Sequence, residues 1–140
     1  MPVDRLTDDD VMEILTKYRK VALVGASPKP ERDSNDVMRY LLEHGYKVYP
    51  VNPRYKEVLG RKCYPSVLDI PDEVDIVDLF VRPEFTRDYV EQAMEKGAKV
   101  VWFQFRTYNR EAFRRVRKAG LTAVAHRCIK KEHERLLARS

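Results

Sequence analysis

Short apolar runs alternate with longer amphipathic stretches along almost the whole chain. KVALVG (20–25), KVYPVN (47–52), VDIVDLFV (74–81), AKVVWFQF (98–105) and LTAVAH (121–126) are runs of six to eight residues, rich in valine. Continuous apolar runs of that length suit parallel strands covered on both faces. Between them, SNDVMRYLLEHG (34–45), PEFTRDYVEQAMEKG (83–97) and NREAFRRVRKAG (109–120) place apolar residues at helical spacing. Ser34 and Asn109 are the expected caps of two of these helices, Pro83 opens the third, and Gly45, Gly97 and Gly120 end them. LTDDDVMEILTKYR predicts a leading helix within 1–19. Thr7 caps it with Asp10 three residues on, and Val11, Ile14 and Leu15 form its apolar face. IKKEHERLLA predicts a closing helix within 129–140. RYKEVLGRKCYPSVLDIPDE is less regular and predicts a loop with a short helix around Ser66–Ile70.

Strand–helix alternation at this spacing means βαβ units with right-handed crossovers. The expected fold is α/β: a single Rossmann-like, doubly wound domain over 1–140, with a five-stranded parallel sheet ordered 3-2-1-4-5. Ligands of such sheets sit beyond the carboxyl ends of the strands, at the switch point. In that order it lies between strands one and four.

Composition narrows the setting. Hydrophobic residues make up 44% and charged residues 35% of 140, the balance of a globular chain. No apolar run approaches the ~18 residues of a membrane span, and the acidic start MPVDRLTDDD is unlike a signal peptide. Cys63 and Cys128 have no C-x-x-C spacing and suggest no disulfide framework. The expectation is a cytoplasmic protein with no membrane partner. The net charge of +5 is uneven: from Arg106 onward there are eleven Lys or Arg against three Glu. A solvated basic surface accounts for this more simply than nucleic-acid binding, since no RNA-binding signature accompanies it.

The candidate chemistry lies just after each strand. Gly25-Ala26-Ser27 makes a turn after strand one, Ser34 and Asn35 can present helix N–H groups to an anion, and Arg32 can reach a phosphate. The stretch matches neither G-x-G-x-x-G nor G-x-x-x-x-G-K-[ST], so a single glycine leaves an ordinary strand end equally open. Strand two ends in Asn52-Pro53-Arg54, where an NAD-binding fold normally carries Asp or Glu for the ribose hydroxyls. An amide and a cation suit a ribose phosphate better, whether the 2′-phosphate of NADP or the 3′-phosphate of coenzyme A. Val81-Arg82-Pro83 offers backbone groups and an apolar wall after strand three. Trp102 on strand four is expected in the core, and Gln104 beside it on the same face is a polar residue inside an apolar run.

VALVGASPKPERDSNDVMRYLLEHGYKVYPVNPRYKEVLGRKCYPSVLDIP, VDIVDLFVRPE, VWFQF and HRCIKKEHERL occur in an order that resembles the coenzyme A-binding domain family. These are small stand-alone relatives of the nucleotide-binding domain of succinyl-CoA synthetase α-subunits, and the resemblance covers roughly residues 10 to 137. It implies a Rossmann-like fold with coenzyme A as the bound nucleotide. By that similarity Gly25, Ala26 and Ser27, with the loop through Arg32 and Ser34, cradle the pyrophosphate. Asn52, Pro53 and Arg54 meet the 3′-phosphate, Val81, Arg82 and Pro83 flank the adenine, and Gln104 faces the pantetheine. Two departures stand out: Phe105 and Arg106 follow the Trp–Gln pair where the family often has a small residue, and His126 precedes Arg-Cys where an acid is common. The phosphorylatable histidine of the synthetases resides in another domain. The implied function is therefore a non-catalytic module that binds coenzyme A or a short acyl-CoA, with a homodimer compatible. The alternatives are an NADP- or acyl-CoA-dependent enzyme and, further off, a basic nucleic-acid-binding protein.

Overall fold

The computed structural model of the chain describes residues 2–138. Five parallel strands, β1 (Lys20–Val24), β2 (Lys47–Val51), β5 (Ile76–Leu79), β6 (Val100–Phe103) and β7 (Thr122–Ala125), form one sheet. Its order is β2-β1-β5-β6-β7. Helices α1 (Asp8–Lys17), α2 (Asp33–Glu43) and α5 (Ile129–Leu136) cover one face; α3 (Pro83–Lys96) and α4 (Arg110–Lys118) cover the other. This is the α/β, doubly wound, Rossmann-like architecture that the alternation predicts.

The strand order corrects the expectation. Among the five main strands it is 2-1-3-4-5, so the chain reverses direction between β1 and β5, one strand earlier than the 3-2-1-4-5 order places it. Strand two is an edge strand, a place that suits Pro50, which has no N–H to give. The Pro50 carbonyl points outward and accepts from Tyr64 N–H at 2.9 Å, so the missing donor faces the sheet edge. β5, by contrast, is buried along its whole length and takes a neighbour on each side.

Local chemistry sets the helix ends. The Thr7 side chain accepts from Asp10 N–H at 3.1 Å and Asp10 accepts from Thr7 N–H at 2.8 Å, a complete capping box. Asn109 caps α4 by accepting from Ala112 N–H at 3.0 Å. Ser34 does not cap α2: Arg32 holds the cap position, the helix begins at Asp33, and Ser34 is buried in the first turn. The irregular stretch contains a two-stranded hairpin, β3 (Glu57–Val58) with β4 (Arg61–Lys62), besides a short 3-10 turn at Val67–Asp69. Pairs of residues carry no readable periodicity, so the hairpin escapes the sequence pattern.

The core divides along the sheet. Trp102 is fully buried beneath α1, α2 and α5, with its indole N–H donating to the Arg127 carbonyl at 2.9 Å, while Phe103 faces α3 and α4. His133 packs under α2 with Nδ1 2.7 Å from the Tyr40 hydroxyl, and burial pushes its pKa down. Asp4 and Arg127 form a bidentate pair at 2.8 and 3.2 Å, and Asp4 also accepts from the N–H groups of Leu6 and Ala125. That knot clips the segment before α1 to the end of β7.

Asp78 breaks the apolar rule. It sits mid-strand on β5 between Leu23 and Trp102, fully buried, and neither carboxyl oxygen has a hydrogen-bond partner. Burial pushes its pKa well above 3.8. The folded chain therefore holds a proton that the unfolded chain releases. The stability this contributes is complete below pH ~3.8 and is lost as pH rises through the folded pKa, at up to about 1.4 kcal/mol per pH unit. Asp78→Asn does not titrate, so its stability relative to the parent should grow with pH across that window. Urea unfolding of both proteins over a pH series measures this, and parallel curves would mean the carboxyl has found a partner.

Candidate functional site

The carboxyl ends of β1, β2 and β5 converge on one turn. After β1 the chain bends at Gly25 with φ +88°. A Cβ there would lie 2.9 Å from the Phe80 carbonyl carbon and closer still to its oxygen. Only glycine lets the turn rest on the end of β5. Gly25 N–H donates to the Val51 carbonyl at 2.9 Å, tying the same turn to β2, and Phe80 N–H donates to Val24 at 2.8 Å.

Two asparagines fix the loop that follows. Asn35 Nδ2 donates to the Ser27 carbonyl at 2.9 Å, and Asn52 Nδ2 donates to the Ala26 carbonyl at 2.9 Å. Asn52 Oδ1 accepts from Arg54 N–H at 2.9 Å, an Asx turn that folds Pro53-Arg54 beside the β1 loop. Ser27 Oγ accepts from Lys29 N–H at 3.1 Å. Gly25, Ala26, Ser27, Asn52, Pro53 and Arg54 are thus brought together, with Ser34 and Asn35 in the first turn of α2 behind them. The Asn52 amide, expected to meet a ligand, is engaged in shaping the loop. Asn35 was legible only as a helix-start residue; its bond back to Ser27 joins positions eight apart and depends on the fold.

Charges of both signs border this turn. α2 opens at Arg32 with no side-chain cap, and Asn35 N–H bonds back to the Arg32 carbonyl at 3.1 Å. That leaves the Asp33 and Ser34 N–H groups without an intrahelical partner where the helix dipole favours an anion. Asp33 and Asp36 stand in the same turn. The side chains of Arg32, Arg54 and Arg82 are exposed and, among the described residues, make no ion pair or hydrogen bond. Arg127, in contrast, is taken up by Asp4 and Glu132.

Val81 packs partly against the α3 side of the core, Arg82 caps α3, and Pro83 is its first residue. The Pro83 carbonyl accepts from Thr86 Oγ1 at 2.8 Å and from Asn109 Nδ2 at 3.1 Å. Gln104 stands apart from the other candidates. It is buried after β6, and its Oε1 accepts from Ile129 N–H at 3.0 Å at the start of α5. Its oxygen is committed to the fold, and no bond links it to the β1 turn.

A cavity of about 430 Å³ lies elsewhere, at the open edge of β2, lined by Tyr46, Lys47, Tyr49, Lys62 and Tyr64 among others. Lys47 begins β2, which places this cavity toward the amino end of the sheet, and Lys47 and Tyr49 already bond Asp72. Among the described residues no three His, Cys, Asp or Glu side chains gather to hold a metal, and no helix is long and apolar enough to cross a membrane.

The turn lies at the switch point of a parallel sheet, the place where open α/β folds receive their ligands. The chain belongs to the CoA binding domain family, whose profile matches residues 19–134. It is 36% identical to the Bacillus subtilis protein YneT over 89% of this chain and 92% of that one. It is 43% identical to the acetate–CoA ligase [ADP-forming] I subunit alpha of Pyrococcus furiosus, over 64% of this chain but 21% of the ligase subunit. The chain thus spans about a fifth of that ligase subunit's length. A solved structure described as a hypothetical protein from Pyrococcus horikoshii OT3 superposes with a TM-score of 0.97 at 71% identity, covering 98% of this chain and 96% of the other. The domain is therefore related to the coenzyme A-binding domain of ADP-forming acetyl-CoA synthetases.

The close approach at Gly25 can be tested apart from any ligand. Gly25→Ala should cost about 3 kcal/mol, from positive φ and from collision with the Phe80 carbonyl. Gly97→Ala, also at positive φ but with open space around it, should cost about 1 kcal/mol. Paired thermal melts measure the difference; equal losses would show that the turn has room to spare.

Proposed function

We propose that the chain binds coenzyme A or a short acyl-CoA at the carboxyl edge of its sheet and does no chemistry on it. The observation that carries this reading is the uncapped start of α2, delivered by the Gly25 turn and flanked by the unpaired Arg32 and Arg54. A diphosphate accepts hydrogen bonds from such N–H groups, and an arginine fork meets a phosphate in two bonds. In this reading Gly25, Ala26 and Ser27, with the loop through Arg32 and Ser34, hold the pyrophosphate. Arg54, presented by the Asn52-Pro53 turn, meets the 3′-phosphate. Val81, Arg82 and Pro83 flank the adenine, and the unbonded amide nitrogen of Gln104 is offered to the pantetheine arm.

The position of the histidines supports binding without turnover. His44 caps the far end of α2 and stacks on Tyr40 with ring centres 3.9 Å apart, and His133 bonds the same tyrosine. Both lie on the α2–α5 side, occupied in packing. His126 alone stands at the carboxyl edge, exposed beside Tyr108.

Calorimetric titration with coenzyme A, dephospho-coenzyme A, NADP and NAD tests the reading. Coenzyme A should bind, and loss of its 3′-phosphate should weaken binding at least tenfold, about 1.4 kcal/mol. Arg54→Ala should remove most of that difference, because the charge and the phosphate it meets are a coupled pair. Binding of NADP with none of coenzyme A would overturn the assignment. Steady release of free thiol from acetyl-CoA would overturn the non-catalytic part alone.

A further inference from the structure

Large apolar side chains stand in water at few places. Among the described residues these are Val3, Leu68, Phe85 and Phe105. The two phenylalanines are 51% and 53% exposed, and both follow the carboxyl ends of neighbouring strands, β5 and β6. Phe85 lies in the first turn of α3, its N–H donating to the Arg82 carbonyl at 2.9 Å. Phe105 lies two residues beyond β6, directly after Gln104.

The loops that carry them are joined. Asn109, which caps α4, also donates to the Pro83 carbonyl at 3.1 Å, so the β6–α4 loop is fastened to the start of α3. The Phe105 turn is stiff. Thr107 donates to the Gln104 carbonyl through both its N–H at 3.1 Å and its hydroxyl at 2.7 Å, and Arg106 is held at φ +71°. A non-glycine residue in that region costs energy and persists only where surrounding bonds dictate it. Phe105 is therefore held outward by a rigid turn. Behind it, Phe103, Tyr108 and Phe113 form an aromatic cluster with ring centres 5.5 to 6.5 Å apart that gives the loop an apolar base.

We propose that Phe105 forms an apolar rim for the acyl group of a bound thioester, so that the site takes apolar acyl-CoA in preference to free coenzyme A. The inference rests on the coenzyme A reading above. There the nucleotide end occupies β1, β2 and β5, with Phe85 one turn from the adenine-flanking Arg82, and the arm runs past Gln104 to Phe105, the next residue. A saturated acyl chain covers the Phe105 ring as it leaves water itself. An acyl group bearing its own carboxylate gains less there, because burying the charge costs energy.

Titration of the full chain with coenzyme A, acetyl-CoA, hexanoyl-CoA and succinyl-CoA tests this. Each fully buried methylene adds about fourfold in affinity; an open rim buries part of the chain, so hexanoyl-CoA should bind about tenfold more tightly than coenzyme A. Acetyl-CoA should fall between them, and succinyl-CoA below hexanoyl-CoA. In Phe105→Ser the hexanoyl-to-free ratio should fall to about two, whereas Phe85→Ser, on the nucleotide side, should leave it unchanged. Both side chains are exposed, so both variants keep the core intact. A ratio near one in the parent, a preference for succinyl-CoA, a ratio unchanged in Phe105→Ser, or an equal fall in Phe85→Ser would overturn the rim while leaving coenzyme A binding in place. No binding of coenzyme A itself would overturn the reading on which the rim rests.

Discussion

The site depends on one close approach: the turn after β1 rests on the backbone at the end of β5. With no side chain at Gly25, the Phe80 carbonyl occupies the space a Cβ would take, and the loop from Ala26 onward leaves the sheet at a set angle. That exit angle sets the start of α2 beside the carboxyl ends of β1 and β2. The two asparagine bonds to Ala26 and Ser27 then hold the loop at both ends. Remove the approach and the N–H groups of α2, Arg32 and Arg54 lose their common geometry. The glycine is required by a neighbour rather than by the turn alone, which distinguishes it from Gly60, Gly97 and Gly120, where a side chain would meet nothing.

The sheet explains why the approach exists. β5 lies between β1 and β6, and β2 takes the outer place, where Pro50 lacks a donor and only Tyr64 bridges the strand's far side. Once β1 and β5 are adjacent, their carboxyl ends meet, and helices leaving on opposite faces open the crevice between them. The cost of a buried strand appears at Asp78, whose carboxyl has no partner in the middle of β5. A proton solves that problem more cheaply than a charge, because desolvating an ionised carboxylate is expensive without a partner. The knot of Asp4, Arg127 and Glu132 shows the contrasting solution, with buried charges held by multiple hydrogen bonds.

Asn35, Asn52 and the oxygen of Gln104 spend their bonds on the fold and position the loops; under the proposed coenzyme A reading, anion contact falls to backbone N–H groups and exposed arginines. The exposed phenylalanines belong to the neighbouring part of the same edge, where the β6–α4 loop and the start of α3 are tied through Asn109. The basic tail is partly used internally: Arg127, Lys130 and Arg135 pair with Asp4, Asp36 and Asp8, fastening α5 to elements far away in sequence.

Periodicity and local cap signals marked the main strands and helices, though not the β3–β4 hairpin. Apolar runs of six to eight residues marked every main strand, the Thr7–Asp10 spacing marked the capping box, and Asn109 and Pro83 marked the starts of α4 and α3. These features are local, since each depends on residues a few positions apart. Glycine after strand one and Asn-Pro-Arg after strand two were likewise visible as candidate chemistry. Only the tertiary structure decided which strands touch, although Pro50 held a clue to the edge that periodicity does not weigh. It alone decided that Gly25 meets Phe80, that Asn52 and Gln104 bond backbone, and that Asp78 lies unpartnered between Leu23 and Trp102. Those contacts join residues tens of positions apart, and their energies exist only once the sheet brings them within a few ångströms.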